Sequence, residues 1–301
     1  MKKPLTAYGT EATLFTVALI WALNFTVVKA SLQEFHPHVF NGLRFVCASA
    51  FLWAMIAAKG AWFRLHKEDI GSLLLVGFIG SVVYQWLFII GMDFTTAANA
   101  AVLLGTIPIW IALFSHLFTT EKLTRLKAIG VLLAFGGVLL IIAGGKNPIS
   151  FQSVTFVGDL LILCSASVWG VFTIRSKGFL TRYTPLQFSG MMSAIGTVVL
   201  LAGSAPWLGE TEWSTITLPA YGGMIYSGTL SIGLAYLIWN NALHKVGAVK
   251  TAVFQNLVPV FGLLFGIVLL GESMTLLQST GAFITISGIV FTRMKLSHSI
   301  K

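Results

Sequence analysis

The sequence predicts an all-α polytopic membrane protein: ten transmembrane helices arranged as two inverted five-helix repeats. Three observations predict it. Of 301 residues, 56% are hydrophobic and 10% charged, where soluble domains carry about 25% charged residues. The charged surface that a soluble fold of this size needs is therefore missing. Apolar runs of roughly 18 to 23 residues recur along the chain, the length that carries a helix across a ~30 Å hydrocarbon layer. Helices satisfy their own backbone hydrogen bonds there, and the ~10-residue alternating segments of a transmembrane barrel are not seen. Finally, the stretch 97–124, AANAAVLLGTIPIWIALFSHLFTTEKLT, has an echo at 248–275, AVKTAVFQNLVPVFGLLFGIVLLGESMT. At one constant offset Ala97 falls on Ala248, Ala101 on Ala252, Pro108 on Pro259, Phe114 on Phe265, Glu121 on Glu272 and Thr124 on Thr275. The match runs on, Gly130 onto Gly281 and Gly137 onto Gly288.

The elements follow in order. Residues 1–11 are a polar lead with Lys2 and Lys3, expected in the cytoplasm, and helix 1 runs from about 12 to 32. A leader peptide is the competing reading, since Val28-Lys29-Ala30 loosely resembles a cleavage site. Against it, the segment has its own echo: Trp21, Lys29, Pro37, Phe40 and Gly42 fall on Trp169, Lys177, Pro185, Phe188 and Gly190. A removable leader would have no internal copy. Helix 2 is expected at 38–58, helix 3 at 70–91, helix 4 at 96–118 and helix 5 at 128–144, closing a first repeat over 12–144. The turn formers of 145–155 make the best boundary. A second repeat over 156–292 holds helices at about 156–174, 185–203, 218–243, 248–270 and 276–291. A tail, 293–301, closes the chain.

Charge sets the expected topology. With ten spans, both termini and the loops after even-numbered helices share one side. Those segments carry Lys2, Lys3, Lys59, Arg64, Lys67, Lys122, Arg125, Lys127, Arg175, Lys177, Arg182, Lys245 and the tail cations. The opposite side has Lys146 and, at a helix end, Lys29. The imbalance places both termini in the cytoplasm. Cations confined to short loops are topology signals, so the net charge of +9 is not read as a nucleic-acid surface. Cys47 and Cys164 both fall inside expected spans and build no disulfide framework or metal pair.

Five spans per half is an odd number, so the second copy enters the membrane inverted. The loops agree, because Glu121 sits among three cations and its echo Glu272 has none nearby. Inverted repeats of this kind place a site near the midplane and alternate its access by rocking one half on the other. A channel or a scaffold is also compatible with duplication, but a steady pore predicts a continuous polar lining that the sequence lacks. A membrane enzyme would need a clustered polar motif on one face, and none is visible. Oligomeric state is left open, with a homodimer among the alternatives.

The Trp-x-x-Asn-Phe-x-x-x-Lys pattern from Trp21 to Lys29, the Leu-Arg-Phe of helix 2 and the proline-to-glutamate segments of helices 4 and 9 resemble EamA-type members of the drug/metabolite transporter superfamily. The resemblance spans about 12–292. It implies a carrier of the cytoplasmic membrane for small metabolites, often an exporter of amino acids or similar compounds, with a central cavity between the halves. The second copy departs from the pattern, with Met192 in place of Arg44 and Thr173 in place of Phe25, so a strictly symmetric site is not expected.

The candidate substrate-binding residues are Trp21, Asn24, Arg44, Tyr84, Trp169, Tyr236 and Gln255. A cation inside a span is a functional-site hypothesis by default, with Arg44 meeting a substrate carboxylate or a gating partner. The alternative is an arginine that bonds carbonyls near the outer interface, and the resemblance places it away from the cavity centre. Asn24 and Gln255 are the deepest amides, and such groups bond a substrate or hold helices together. Trp21 and Trp169 are related by the repeat and lie too deep for an interfacial belt. Tyr84 and Tyr236, with Trp86 and Trp239, line a cavity or face lipid. Asn240 and Asn241 read as caps or interface residues. Pro108 and Pro259, each removing a backbone donor, are candidate paired hinges. Gly262 with Gly266, and Ala101 with Gly105, read as close-packing motifs. No carboxylate occupies a span centre, which points to facilitated diffusion or an unusual coupling site. No phosphate-binding loop or metal spacing appears, so no cofactor is expected; the partners are a small-molecule substrate and the lipid bilayer.

Overall fold

The computed structural model describes residues 5–95, 100, 103–119, 124–143, 153–261 and 275–293. Among them the regular structure is helical throughout; besides helical residues at 100 and 103–104 it forms ten segments: α1 Leu5–Ser31, α2 Pro37–Ala58, α3 Lys67–Phe94, α4 Ile107–Phe118, α5 Arg125–Ala143, α6 Ser153–Phe179, α7 Pro185–Leu208, α8 218–246, α9 248–261 and α10 Leu276–Arg293. Five of these, α1, α2, α3, α6 and α7, are long and apolar enough to cross a membrane. Large apolar side chains such as Val198, Phe283, Leu132 and Leu75 point outward and are well exposed. Outward-facing apolar surface is what a bilayer solvates and water does not.

The segment ends carry local reasons. α2 and α7 each begin on a proline, whose missing N–H would be unsatisfied in a first turn anyway. α7 adds a capping box, Thr184 and Gln187 each bonding the other's backbone N–H. Gly247 alone joins α8 to α9, and its φ of 87° is a backbone conformation that a side chain would resist. Lys29 reaches from the end of α1 to the carbonyls of Met92, Asp93 and Thr95, at 2.8, 3.2 and 3.1 Å. It thus caps the carbonyl end of α3 with a positive charge. α1 starts inside the segment expected as a polar lead, because nothing between Leu5 and Ala12 stops a helix from propagating backwards.

Two irregularities lie inside the spans. α3 passes through a π-helical stretch at Phe78–Val83 and α8 through another at Ser227–Leu234. Such bulges release backbone groups from the regular ladder and are frequent at functional sites.

α5 packs along α10, α2 along α7, and α4 on α9; α3 packs on α6 and α1 on α8; α2 also meets α8, and α7 meets α3. Glycines permit the closest of these approaches. A Cβ at Gly137 would lie 2.5 Å from the Gly281 carbonyl oxygen, and one at Gly288 would lie 2.4 Å from the Ala134 nitrogen. On α8, a Cβ at Gly228 would lie 2.3 Å from the Arg44 carbonyl oxygen. Glu121, Glu272, Asn99, Ala101, Gly262, Gly266 and the boundary run at 144–152 lie outside the described residues.

Candidate functional site

The crossing of α2 and α8 at Gly228 builds the first part of the site. It sets Ser227, where the π-helical stretch of α8 begins, beside the guanidinium of Arg44. Arg44 is 1% exposed. Its Nη1 donates to Ser227 Oγ at 3.2 Å and its Nε to Asn41 Oδ1, one turn earlier on α2, at 3.0 Å. Its Nη2 donates to Gln85 Oε1, and Gln85 Nε2 donates onward to the Tyr236 hydroxyl at 2.7 Å. The rings of Phe40 and Phe88 lie 5.6 Å from the guanidinium carbon, a cation–π distance. One chain of hydrogen bonds therefore runs from α2 through α3 to α8.

Aromatic rings make the second part. Trp21 on α1 meets Trp169 on α6 edge to face at 6.2 Å and Tyr236 on α8 at 6.2 Å. Trp169 also touches Tyr236 at 5.0 Å and Tyr84 at 4.8 Å. Trp21 Nε1 donates to the Ser231 carbonyl oxygen at 3.1 Å, inside the second π-helical stretch. The irregular turn of α8 thus offers the acceptor that orients Trp21.

These groups surround a cavity of about 60 Å³, room for a handful of waters at the 10–15 Å³ that one needs. All seven residues singled out as substrate-binding line it: Trp21, Asn24, Arg44, Tyr84, Trp169, Tyr236 and Gln255. Arg44, which the resemblance set away from the centre, is in its wall. Pro259 also lines the cavity, whereas at Pro108 it is the neighbouring Ile107 that does. Pro108 occupies the first turn of α4, after a turn at Gly105–Thr106, and Pro259 follows a 3-10 stretch at Val253–Asn256. Neither interrupts a continuous α-helix.

Several polar atoms around the cavity are buried without a partner: Asn24 Oδ1, Gln255 Oε1 and Trp169 Nε1. Buried polar groups are nearly always satisfied, so orphaned ones on residues that line the cavity are the groups a ligand would meet once it widens. Sequence reasoning does not single out Gln85, Asn41, Ser227, Phe88 or Ser231. Gln85 could have been found, because continuing the helix 4 and helix 9 offset backwards pairs it with Tyr236. Trp239, also left aside, is 1% exposed and packs on Trp21 at 5.3 Å; it backs the cavity wall. Asn240 bonds Ser189 Oγ on α7 at 2.9 Å, an interface role.

Two bridges tie loops at opposite ends of the bundle. Arg182, after α6, donates to Asp69 Oδ1 at 2.7 Å and to Glu68 Oε1 at 3.2 Å, at the start of α3. The Tyr183 hydroxyl donates to Asp69 Oδ2 at 3.0 Å. The hydrogen bond to Asp69 raises the Arg182 pKa above its ordinary value. At the other end Glu34, after α1, accepts from Thr217 N and Thr217 Oγ1 at 2.7 and 3.0 Å, at the start of α8. The offset that relates Trp21 to Trp169 also relates Glu34 to Arg182.

Residues 10–143 and 156–294 match the family described as the EamA-like transporter family. An uncharacterized transporter of Archaeoglobus fulgidus is 30% identical over 95% of this chain and 98% of its own length. The uncharacterized transporter YoaV of Bacillus subtilis is 26% identical over 94% of this chain and 96% of its own. A solved crystal structure superposes with a TM-score of 0.78 at 16% identity, covering 94% of this chain and 96% of that one, a likeness of fold alone.

Proposed function

The chain belongs to the EamA-like transporter family, and from that membership we propose that it is a secondary transporter. It is a multi-pass membrane protein. In this reading it moves small metabolites, amino acids or related amphipathic compounds, out across the cytoplasmic membrane, with both termini in the cytoplasm. Access to the central cavity alternates as the two halves rock.

The observation that carries this reading is the cavity itself. Its walls come from α1, α2, α3 and the start of α4 in the first half and from α6, α8 and α9 of the second, so relative motion of the halves must change its shape. An inverted repeat is supported by the helix pairings. Adding five to each helix number turns α3–α6 into α8–α1 and α2–α8 into α7–α3, and leaves α2–α7, α4–α9 and α5–α10 as they are. The π-helical stretches of α3 and α8 are likewise partners under this exchange. At about 60 Å³ the cavity must widen for an amino acid, and the bridges at Arg182 and Glu34 are the contacts that part on either side. Pro108 and Pro259 keep their proposed hinge role, as the starts of rigid segments that follow breaks.

Sided thiol labelling tests it. A Ser231→Cys variant in a background with Cys47 and Cys164 replaced by serine is exposed to an impermeant reagent from one face at a time. Alternating access predicts reaction from either face, with substrate changing the ratio of the two rates. Simultaneous open access from both faces, insensitive to substrate, would favour the channel reading.

A further inference from the structure

Arg44 is nine-tenths and more buried, yet each of its partners is neutral: Asn41, Ser227, Gln85 and the faces of Phe40 and Phe88. A guanidinium keeps its proton at any working pH and offers five N–H donors. The three hydrogen bonds use three. A buried cation among neutral groups is costly in an apolar surround, and an arriving anion relieves that cost. The Trp169 Nε1–H is unpaired. Tyr236 accepts its bond from Gln85, so its own hydroxyl proton is left to donate. Among the described residues lining the cavity, no side chain bears a negative charge.

We propose that the cavity takes an organic monoanion, a carboxylate on a flat or branched apolar body, with the carboxylate on Arg44 and the body among Trp21, Tyr84 and Trp169. This rests on the transporter reading and narrows its substrates to carboxylate-bearing compounds, preferred with a net charge of minus one. A zwitterion places its ammonium beside amide oxygens and ring faces, without an opposite charge to meet it. After a complete cycle Arg44 is back where it began, so the charge moved per turnover is the ligand's own. Tyr84 and Tyr236 are the other titratable groups on the cavity wall, and neither is a carboxylate or imidazole. A monoanion leaving a compartment that is negative inside moves down the potential, so export draws on the membrane potential with no proton partner.

The test uses the full chain in proteoliposomes with three compounds of one phenylethyl body: phenyllactate, an anion; phenylalanine, a zwitterion; and phenethylamine, a cation. Liposomes without protein give the leak, and potassium with valinomycin sets the potential. Saturable movement of phenyllactate is expected, its distribution shifting about tenfold for each tenfold potassium gradient, as for one elementary charge. Phenethylamine stays at the leak rate, and phenylalanine moves more slowly than phenyllactate and ignores the potential. Arg44→Gln, checked for folding by gel filtration, lowers phenyllactate movement by about tenfold or more, the loss of a charged hydrogen-bonding group. Saturable phenethylamine movement, phenylalanine ahead of phenyllactate, or phenyllactate movement indifferent to the potential overturns the monoanion assignment and leaves a transporter standing. No saturable movement of any of the three also overturns it, and counterflow over a broad metabolite panel then decides separately whether the protein is a carrier.

Discussion

Trp21 and Trp169 meet edge to face in the middle of the molecule, ring centroids 6.2 Å apart at 85°. The internal repeat pairs the same two residues at one sequence offset, so partners across the two halves are neighbours in space. They form one wall of the cavity, and Trp169 is fully buried. Trp169→Phe keeps most of the ring volume but gives up the unpaired Nε1–H. Raised half-saturation in transport, with expression unchanged, is the expected outcome. Trp169→Ala leaves a void and is expected to cost about 3–5 kcal/mol, read as a lowered midpoint in thermal unfolding in detergent.

Gln85 holds the chain together, accepting from Arg44 and donating to Tyr236. Gln85→Leu, close in volume, removes the amide and leaves a guanidinium N–H of Arg44 without an acceptor. A loss of about 1–3 kcal/mol follows from the unpaired group, with a fall in transport larger than the fall in stability explains. Gln85→Glu instead places a negative charge on Arg44. Since that carboxylate would compete with an anionic substrate, it is expected to keep the fold and abolish flux.

Gly228 separates packing from chemistry. Its missing side chain lets α8 lie against the Arg44 backbone, where a Cβ would be 2.3 Å from a carbonyl oxygen that cannot step aside. Gly228→Ala is expected to lower thermal stability clearly. Gly222→Ala on the same helix, with nothing within 4 Å, is expected to leave it unchanged.

Arg182 is half exposed, and exposed ion pairs contribute little to stability. Arg182→Ala is therefore expected to leave the unfolding midpoint nearly unchanged while raising the rate at which a cavity thiol is labelled from the Arg182 face. Glu34→Ala is expected to raise labelling from the opposite face. High salt weakens the first bridge more than the second, because only the first is an ion pair.

Helix number and type were legible because apolar length and the two-fold echo are long-range signals that survive local noise. The cavity residues were legible where they broke a rule of the membrane interior: Arg44 by its charge, Asn24 and Gln255 by depth, Trp21 and Trp169 by the repeat. The π-helical stretches at Phe78–Val83 and Ser227–Leu234 were not. Their sequences, FIGSVV and SGTLSIGL, carry glycine and serine but no proline. Glycines recur through many of the regular spans of this chain, so nothing local marks these turns. Ser227 and Ser231 in the second meet Arg44 and Trp21 from other helices. Asn41 and Ser227 were missed for the same reason. A small polar residue reads as packing until the cation that it serves is known to lie beside it.

The central claim, that this is a carrier, is tested most directly by counterflow in proteoliposomes. Vesicles are loaded in turn with amino acids and other small metabolites, and a labelled tracer is followed into them with and without a pH gradient. The account predicts saturable exchange with one chemical class, trans-stimulated by loaded substrate and indifferent to the pH gradient. Absence of exchange across the whole panel by folded protein, or flux that never saturates and is accompanied by conductance, would contradict it.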